Sequence, residues 1–193
     1  MPQSNMHLNR PLNIQYTLDI KTSELYHGCT KTIEVSRDVW NHQSAQSDTI
    51  NTKYKVKVIP GSHHSQQIIL QGGGHQNINQ IVSDLIVTLN ETNDTQLIRD
   101  KQNLIYNVSV SLRDALLGGN LSFTHPSGKQ MNINYKLKSP YETITVQGSG
   151  MPIYGTHAYG DLKITFKVLF PTQIPDHLVE DMDGVLSALD YQI

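Results

Sequence analysis

With 193 residues, the chain is long enough for one large domain or two small ones. Its 37% hydrophobic and 7% aromatic content suits small domains with thin cores. The net charge of −2 and the isoelectric point near 6.5 argue against a nucleic-acid-binding protein, which would carry a basic face.

An apolar run of about 18 residues, enough to span a membrane, is missing. So is an apolar signal core near Met1. A single cysteine excludes an internal disulfide, and we therefore expect a cytoplasmic protein.

The first predicted element is a strand that follows a polar tail or linker at residues 1–11. From Leu12 to Ile20, apolar side chains alternate with polar ones, which is the period of two typical of a half-buried strand. Gly28 marks a corner, and residues 30–35 form the next predicted strand. Residues 38–51 are polar and predict a long hairpin excursion.

Three further strands complete the first predicted domain, which ends at residue 92. They are residues 53–59, where lysines alternate with apolar side chains, residues 67–70 and residues 85–89. Residues 91–103 are polar and irregular, so we place the boundary between two domains there.

The second domain is predicted to repeat this plan from residue 93 to residue 171. Residues 104–111 alternate as a strand, and Ser111 with Asp114 resembles the start of a helical turn that ends at Gly118. Further strands are predicted at residues 120–124, 131–138, 143–146 and 162–168. The strand, helical turn, glycine corner and strand of the two segments match in order, which indicates a tandem duplication of one β-rich domain.

The character of the sequence changes after residue 171, where a helix is predicted. Pro175 suits the first position of a helix, and Asp176 suits its positive end. Four side chains then fall on one apolar stripe: Leu178, Met182, Val185 and Leu189. Because an isolated helix cannot bury such a stripe, we expect residues 172–193 to form a dimerisation helix.

No catalytic group, metal site or cofactor is predicted. Residues 72–74 are three glycines, but they lack the following Lys-Ser/Thr of a phosphate-binding loop and are better explained as a turn. His63 and His64 follow a Pro-Gly turn without a carboxylate at a useful spacing, so we interpret them as exposed turn residues rather than metal ligands.

An ordered set of motifs resembles the C-terminal substrate-binding region of DnaJ-type co-chaperones. The motifs are L-x-x-A-L-L-G-G at residues 112–119, G-x-G-M-P at 148–152, G-D-L at 160–162 and Phe170-Pro171. The resemblance implies an all-β fold, with two tandem DnaJ C-terminal-type β-sandwich domains at residues 12–92 and 93–171 and a short C-terminal α-helix. It further implies that the chain is not an enzyme, and that it holds non-native or extended polypeptide as a homodimer.

The resemblance also implies a shallow apolar peptide groove on the first domain, between its opening strand and the strand after the glycine corner. Seven residues would form this groove: Tyr16, Leu18, Ile20, Lys31, Ile33, Val35 and Val87. The alternation itself leaves a second interpretation open, in which the apolar members are simply the core of the domain.

Two departures from the family pattern affect the expected partners. The family often carries basic residues on the strand after the corner, where they meet the acidic tail of a DnaK-type chaperone, but Glu34 stands at one such position. The sequence also contains neither the His-Pro-Asp tripeptide of a J-domain nor a Cys-x-x-Cys zinc module. An architectural or adaptor subunit of a larger assembly, with the same fold and no chaperone activity, therefore stays open as an alternative. No nucleic acid or membrane partner is expected.

Overall fold

The computed structural model describes residues 10–188 and shows an all-β molecule with short helices. Its first repeat consists of β1 (Ile14–Lys21), α1 (Thr22–His27), β2 (Cys29–Asn41), β3 (Gln46–Val58), β4 (Gln67–Leu70) and β5 (Leu85–Thr92). Strands β1, β5 and β4 form one sheet, in which β1 runs parallel to β5, while β2 and β3 form a separate antiparallel ribbon.

The second repeat has the same topology. It consists of β6 (Ile98–Asp100), β7 (Asn103–Ser111), α2 (Leu112–Leu117), β8 (Gly119–Thr124), β9 (Gln130–Tyr135), β10 (Thr143–Val146) and β11 (Leu162–Leu169). Here β7 runs parallel to β11 as β1 does to β5, and β8 pairs with β9 as β2 does with β3. The additional strand is β6, which pairs with the start of β7. The sequence predicted no structure at β6, because three residues are too few to show a period of two.

The helical turn after the first strand of each repeat forms where the sequence predicts it. The Ser111 hydroxyl accepts a hydrogen bond from the Asp114 amide at 3.0 Å, so the predicted N-cap is confirmed. At the equivalent place in the first repeat, the Lys21 amide donates to Glu24 Oε2 at 3.0 Å. Gly28 and Gly118 end these helices with φ of 73° and 93°, which L side chains rarely adopt.

The long hairpin predicted at residues 38–51 is the outer part of a regular β-ribbon formed by β2 and β3. Both β2 and β3 are 13 residues long, whereas β8 and β9 have 6 residues each. The register of the long ribbon is continuous from Cys29 opposite Val58 to Asn41 opposite Gln46. The outer part of the ribbon is polar and is held by side-chain bonds across the strands, such as Thr49 Oγ1 to Asp38 Oδ1 at 2.7 Å.

The core of each repeat lies between its sheet and its ribbon. In the first repeat, the strictly alternating strand β1 contributes Leu18 and Ile20, and the central strand β5 contributes Leu85, Val87 and Leu89. In the second repeat, the equivalent strands contribute Leu104, Val110, Leu162 and Ile164. The apolar face predicted for each strand is therefore the face that is covered.

Helix α3 (Asp176–Ser187) follows Pro175, as the sequence predicts. None of its residues is buried, and Leu178 and Val185 of the predicted stripe are exposed. Leu189, the fourth member of the stripe, lies outside the described residues.

Candidate functional site

Strand β2 presents an open edge. It pairs with β3 on one side, and within residues 10–188 no strand pairs with its other side between residues 29 and 37. An unpaired edge of this kind exposes backbone amide and carbonyl groups that can bond to another extended chain. We call residues 29–37 the β2 edge.

A short segment of the same chain covers the far end of β2 and shows which backbone groups face outward. Its members are His75 and Gln76, which we call the strap. The Gln76 amide donates to the Asp38 carbonyl at 2.8 Å, and the Trp40 amide donates to the Gln76 carbonyl at 3.2 Å. Because outward-facing groups alternate along a strand with regular register, those of Thr32, Glu34 and Ser36 face outward as well.

The structure places most of the predicted groove residues in the core. Ile20 and Val87 are 0% exposed, Ile33 is 4%, Val35 is 6% and Leu18 is 8% exposed. Tyr16, by contrast, is half-buried and packs against the outside of this cluster. We call the boundary between β1 of the sheet and β2 of the ribbon the seam. Leu18, Ile33 and Val35 keep 4–8% of their surface exposed, whereas Ile20 and Val87 are fully enclosed. A bound peptide could touch these two side chains only if the sheets parted, and peptide contact by the set stays a prediction.

Lys31, the predicted basic member of the site, is engaged by Glu24. The Lys31 ammonium forms an ion pair with Glu24 Oε1, and both side chains are partly exposed. Burial opposes ionisation of Glu24, but the bonds from the Lys21 amide and the Lys31 ammonium hold the pKa of its carboxyl below the usual value. The hydrogen bond to Glu24 raises the pKa of Lys31. An incoming carboxylate at this end of the site must therefore compete with Glu24.

The apolar stripe of α3 faces the second repeat across an open cleft. A cleft of about 280 Å³ lies between Leu112 and Leu116 of α2 and the α3 side chains Leu178, Met182 and Val185. The cleft leaves apolar surface on both helices uncovered. Such a surface is typical of an interface with another polypeptide.

The two repeats meet at a polar and aromatic junction that the sequence did not reveal. Arg99 of β6 forms an ion pair with Glu91 at 3.2 Å, with side chains only 9% and 13% exposed. The same guanidinium donates to the carbonyls of Ser62 at 2.8 Å and Gly61 at 3.3 Å. The repeats also meet through Tyr26 and His125, whose rings pack edge-on against each other. Arg99 and Glu91 are only eight residues apart, but Gly61, Ser62 and the aromatic residues are distant from them in the sequence, so local spacing could not have identified the junction.

Within the described range, no group of His, Cys, Asp and Glu side chains could hold a metal ion. In the same range, no helix is long and apolar enough to cross a membrane. His63 and His64 are exposed in a turn, as expected.

Comparison with known proteins identifies similar chains. The family model for the DnaJ C terminal domain matches residues 14–171. Protein psi1 of Schizosaccharomyces pombe is 30% identical over 175 residues, which are 90% of this chain and 44% of that protein. The mitochondrial protein import protein MAS5 of Saccharomyces cerevisiae is 29% identical over 120 residues, 61% of this chain and 29% of that protein. The DnaJ homolog subfamily B member 13 of Homo sapiens is 29% identical over 164 residues, 83% of this chain and 52% of that protein. This chain thus spans about half or less of the length of these relatives.

Proposed function

This chain belongs to the family of DnaJ C-terminal domains, and we propose that it works as a co-chaperone module that holds an extended or non-native polypeptide segment as an added strand on the β2 edge. The observation that carries the proposal is the unpaired stretch of β2 between the glycine corner and the strap. Strand addition at a sheet edge gains affinity from backbone hydrogen bonds, and it therefore accepts many sequences.

The burial of the predicted groove residues sets how such a segment is held. With Leu18, Ile33 and Val35 nearly covered, little apolar surface is open at the seam beside the β2 edge. Backbone bonds therefore provide most of the affinity, and Tyr16 is the apolar groove residue most accessible to side chains of the segment. A deeper apolar contact requires β1 and β2 to separate at the seam.

A second copy of the chain is proposed as the partner of α3. The uncovered apolar surfaces of α2 and α3 support an interface formed through Leu178, Met182 and Val185, with Leu189 as its predicted continuation. In this proposal the peptide-binding first domain, residues 12–92, and the second domain, residues 93–171, of each copy extend from a dimer held at residues 172–193.

The family also suggests a DnaK-type chaperone as a partner. We further propose that the chain works in the cytoplasm and has no enzymatic activity. Binding of an acidic chaperone tail at the β2 edge is expected to be weak near Glu34, because the Glu34 carboxylate is exposed and has no cationic partner within the described chain.

One observation favours a second candidate function, an architectural or adaptor subunit. The residues expected to line an open groove are 0–8% exposed, apart from Tyr16 and Lys31, and Lys31 is already paired. A subunit that binds no client polypeptide would also have these apolar side chains covered. Stable co-purification in one defined assembly would favour this alternative, whereas suppression of client aggregation favours the chaperone module.

A proline substitution tests the β2 edge directly. Thr32→Pro removes an outward-facing amide and leaves the bonds between β2 and β3 in place. We expect binding of a fluorescent extended peptide to weaken about tenfold or more, since a backbone bond and the close approach of the segment are both lost. The melting temperature should stay close to that of the parent chain.

The matched control is Ser122→Pro on β8 of the second repeat. The Ser122 amide also faces away from the paired strand β9. The His125 amide donates to the Lys129 carbonyl, and because amide directions alternate along a strand, the amide three positions earlier faces the open side. This variant should bind the peptide as the parent does. Unchanged binding by a folded Thr32→Pro protein would reject the β2 edge as the binding site.

A further inference from the structure

The strap lies where an added strand would continue along β2. The bridge between Val39 and Gln76 is parallel, so the strap is a very short added strand that the chain itself supplies. At the other end of the β2 edge, Gly28 turns the chain from α1 into β2. The β2 edge is therefore bounded by the glycine corner at one end and by the strap at the other.

The strap uses the outward-facing backbone groups at the far end of β2. The Gln76 amide donates to the Asp38 carbonyl at 2.8 Å, and the Trp40 amide donates to the Gln76 carbonyl at 3.2 Å. The Asp38 amide donates to Nδ1 of His75 at 3.1 Å. An added segment cannot form these bonds while the strap is in place.

The outward-facing groups before the strap are free. Within residues 10–188, the outward-facing backbone groups of Thr30, Thr32, Glu34 and Ser36 form no hydrogen bond. An extended strand covers about 20 Å from residue 30 to residue 36, at about 3.3 Å per residue. The free part of β2 therefore matches an extended segment of about seven residues.

The strap is held firmly from behind, as one arm of a short hairpin at residues 74–83. The Ser83 amide donates to the His75 carbonyl at 2.9 Å, and the Gly74 amide donates to the Ser83 carbonyl at 2.9 Å. Ser83 is 0% exposed, and a Cβ atom on Gly74 would collide with its hydroxyl. The hairpin leads directly into β5, so the strap is fixed to the central strand of the sheet.

The equivalent hairpin of the second repeat lacks the means to hold its ribbon in this way. Pro152 stands where Gln76 stands in the first repeat, and it forms the matching antiparallel bridge within its own hairpin. Proline has no amide hydrogen to donate. Strand β8 also ends at Thr124, before the position equivalent to Asp38. The strap therefore belongs to the long ribbon of the first repeat and is not a requirement of the shared topology.

We propose that the strap determines the length and the position of the segment held on the β2 edge. Backbone bonds by themselves set no register, because outward-facing groups repeat every two residues along a strand. With the strap in place, a segment of about seven residues pairs with residues 30–36 and leaves β2 at the strap. The inference rests on the proposed function, since it assigns a length to the segment held at the same edge.

A series of peptides of increasing length tests the proposal with the parent chain. The fluorescent peptides repeat one alternating apolar and polar pattern and grow from about five to about thirteen residues in steps of two. Affinity should rise severalfold with each step up to about seven residues, because each step adds backbone bonds. Longer peptides should gain less than about twofold in total. An equal gain at every step up to about eleven residues, the length that reaches Trp40, would overturn the proposal.

A double substitution in the strap should lengthen the accepted segment. His75→Ala/Gln76→Pro removes the bond to the His75 ring and the bond from the Gln76 amide, and Pro152 shows that this hairpin accepts proline. The affinity of this variant should keep rising up to about eleven residues, whereas the shortest peptide should bind as it does to the parent. A limit that stays at about seven residues in the folded variant would contradict the role of the strap. If the variant does not fold, the series with the parent chain still decides.

The matched control is Ile78→Ala/Gln80→Gly at the tip of the same hairpin. Both residues are exposed, and Gln80 has a φ of 59°, which glycine adopts readily. Neither residue bonds to β2 within the described chain. This variant should keep the limit of the parent, and a shift equal to that of the strap variant would overturn the proposal.

The outcomes separate this inference from the proposed function. Binding that strengthens with length without reaching a limit would reject the strap as the end of the site and leave the β2 edge standing. Failure of every peptide to bind the parent chain would reject the proposed function itself, and the inference with it.

Discussion

Tyr26 lies edge-on against His125, with ring centroids 5.2 Å apart and ring planes at 90°. Tyr26 belongs to α1 of the first repeat, and His125 follows β8 of the second, so the contact joins the two halves of the molecule. Tyr159 adds a second ring from the second repeat at 6.0 Å from Tyr26. Such aromatic pairs favour particular ring geometries. They therefore help to fix how the two repeats are oriented.

His125 is held in its neutral form. Its Nδ1 atom accepts the Ser127 amide hydrogen at 3.1 Å, so Nε2 must be the protonated nitrogen that donates to the Ser149 carbonyl, also at 3.1 Å. Burial lowers the pKa of His125, and the nearby positive charge of Lys129 and the ring of His27 lower it further, although the bond to Ser149 opposes the change.

The first prediction follows from this lowered pKa. Below about pH 6.5, the unfolded chain binds a proton at His125 that the folded chain does not yet accept. Stability should therefore be full above this pH and should fall as pH decreases toward the lower pKa of the folded state. His125→Gln, which keeps a donor and an acceptor but does not titrate, should show a smaller loss of melting temperature between about pH 7.5 and 5.5. His63→Gln, at an exposed turn, serves as control and should behave as the parent does. An unchanged pH dependence in His125→Gln would contradict the assignment.

The second prediction concerns the ion pair at the junction. Arg99→Met leaves the Glu91 carboxylate largely buried without its cation and leaves the Ser62 and Gly61 carbonyls without a donor. The loss should be about 3–5 kcal/mol in the free energy of unfolding. The control is Arg113→Met, which breaks an exposed ion pair with Asp114 and should cost less than about 1 kcal/mol. Denaturant unfolding measures both, and similar losses in the two variants would show that the junction pair contributes no more than a surface pair.

The fold was largely predictable from the sequence because its determinants are local. The alternation from Leu12 to Ile20 indicates β1, and Ser111 with Gly118 indicates a capped helical turn, each within a few residues. The parallel pairing of β1 with β5 could not be deduced in this way, because Ile14 and Leu85 meet only after the chain between them has folded. Strand β6 was missed for a related reason, since three residues carry too little pattern.

The candidate site was harder to predict, because alternation identifies an apolar face without showing what covers it. Ile33 and Val35 share the inward face of β2, as expected, but burial beneath the seam is a property of two packed sheets. The edge itself also depends on strand order, which no local pattern reveals. The strap was equally hidden, because only the bridge between Val39 and Gln76 places it on that edge.

The third prediction tests whether the inward face of β2 is structural. Ile33→Asp places a carboxylate among buried apolar side chains, where it lacks a partner, and should cost several kcal/mol, a large share of the stability of a small domain. Leu18→Asp should behave similarly. Ile69→Asp is the control, because that side chain on the edge strand β4 is 57% exposed and should tolerate the charge. Circular dichroism melts separate the cases. A folded Ile33→Asp protein of normal melting temperature would instead indicate an open groove at the seam.

The last prediction concerns α3. Each apolar side chain of its stripe is worth roughly 1.5–3 kcal/mol when covered, and the cleft beside α2 shows that neither Leu178 nor Val185 is covered within one copy. We therefore expect the intact chain to form a dimer in multi-angle light scattering, and removal of residues 172–193 to yield a folded monomer. Leu178→Asp/Val185→Asp should shift the equilibrium toward monomer by tenfold or more, since two charges would lose solvent at the interface. Asp183→Asn, on the polar side of the same helix, should leave the dimer intact. A monomeric parent chain, or a dimer that survives the truncation, would show that another surface or partner covers this stripe.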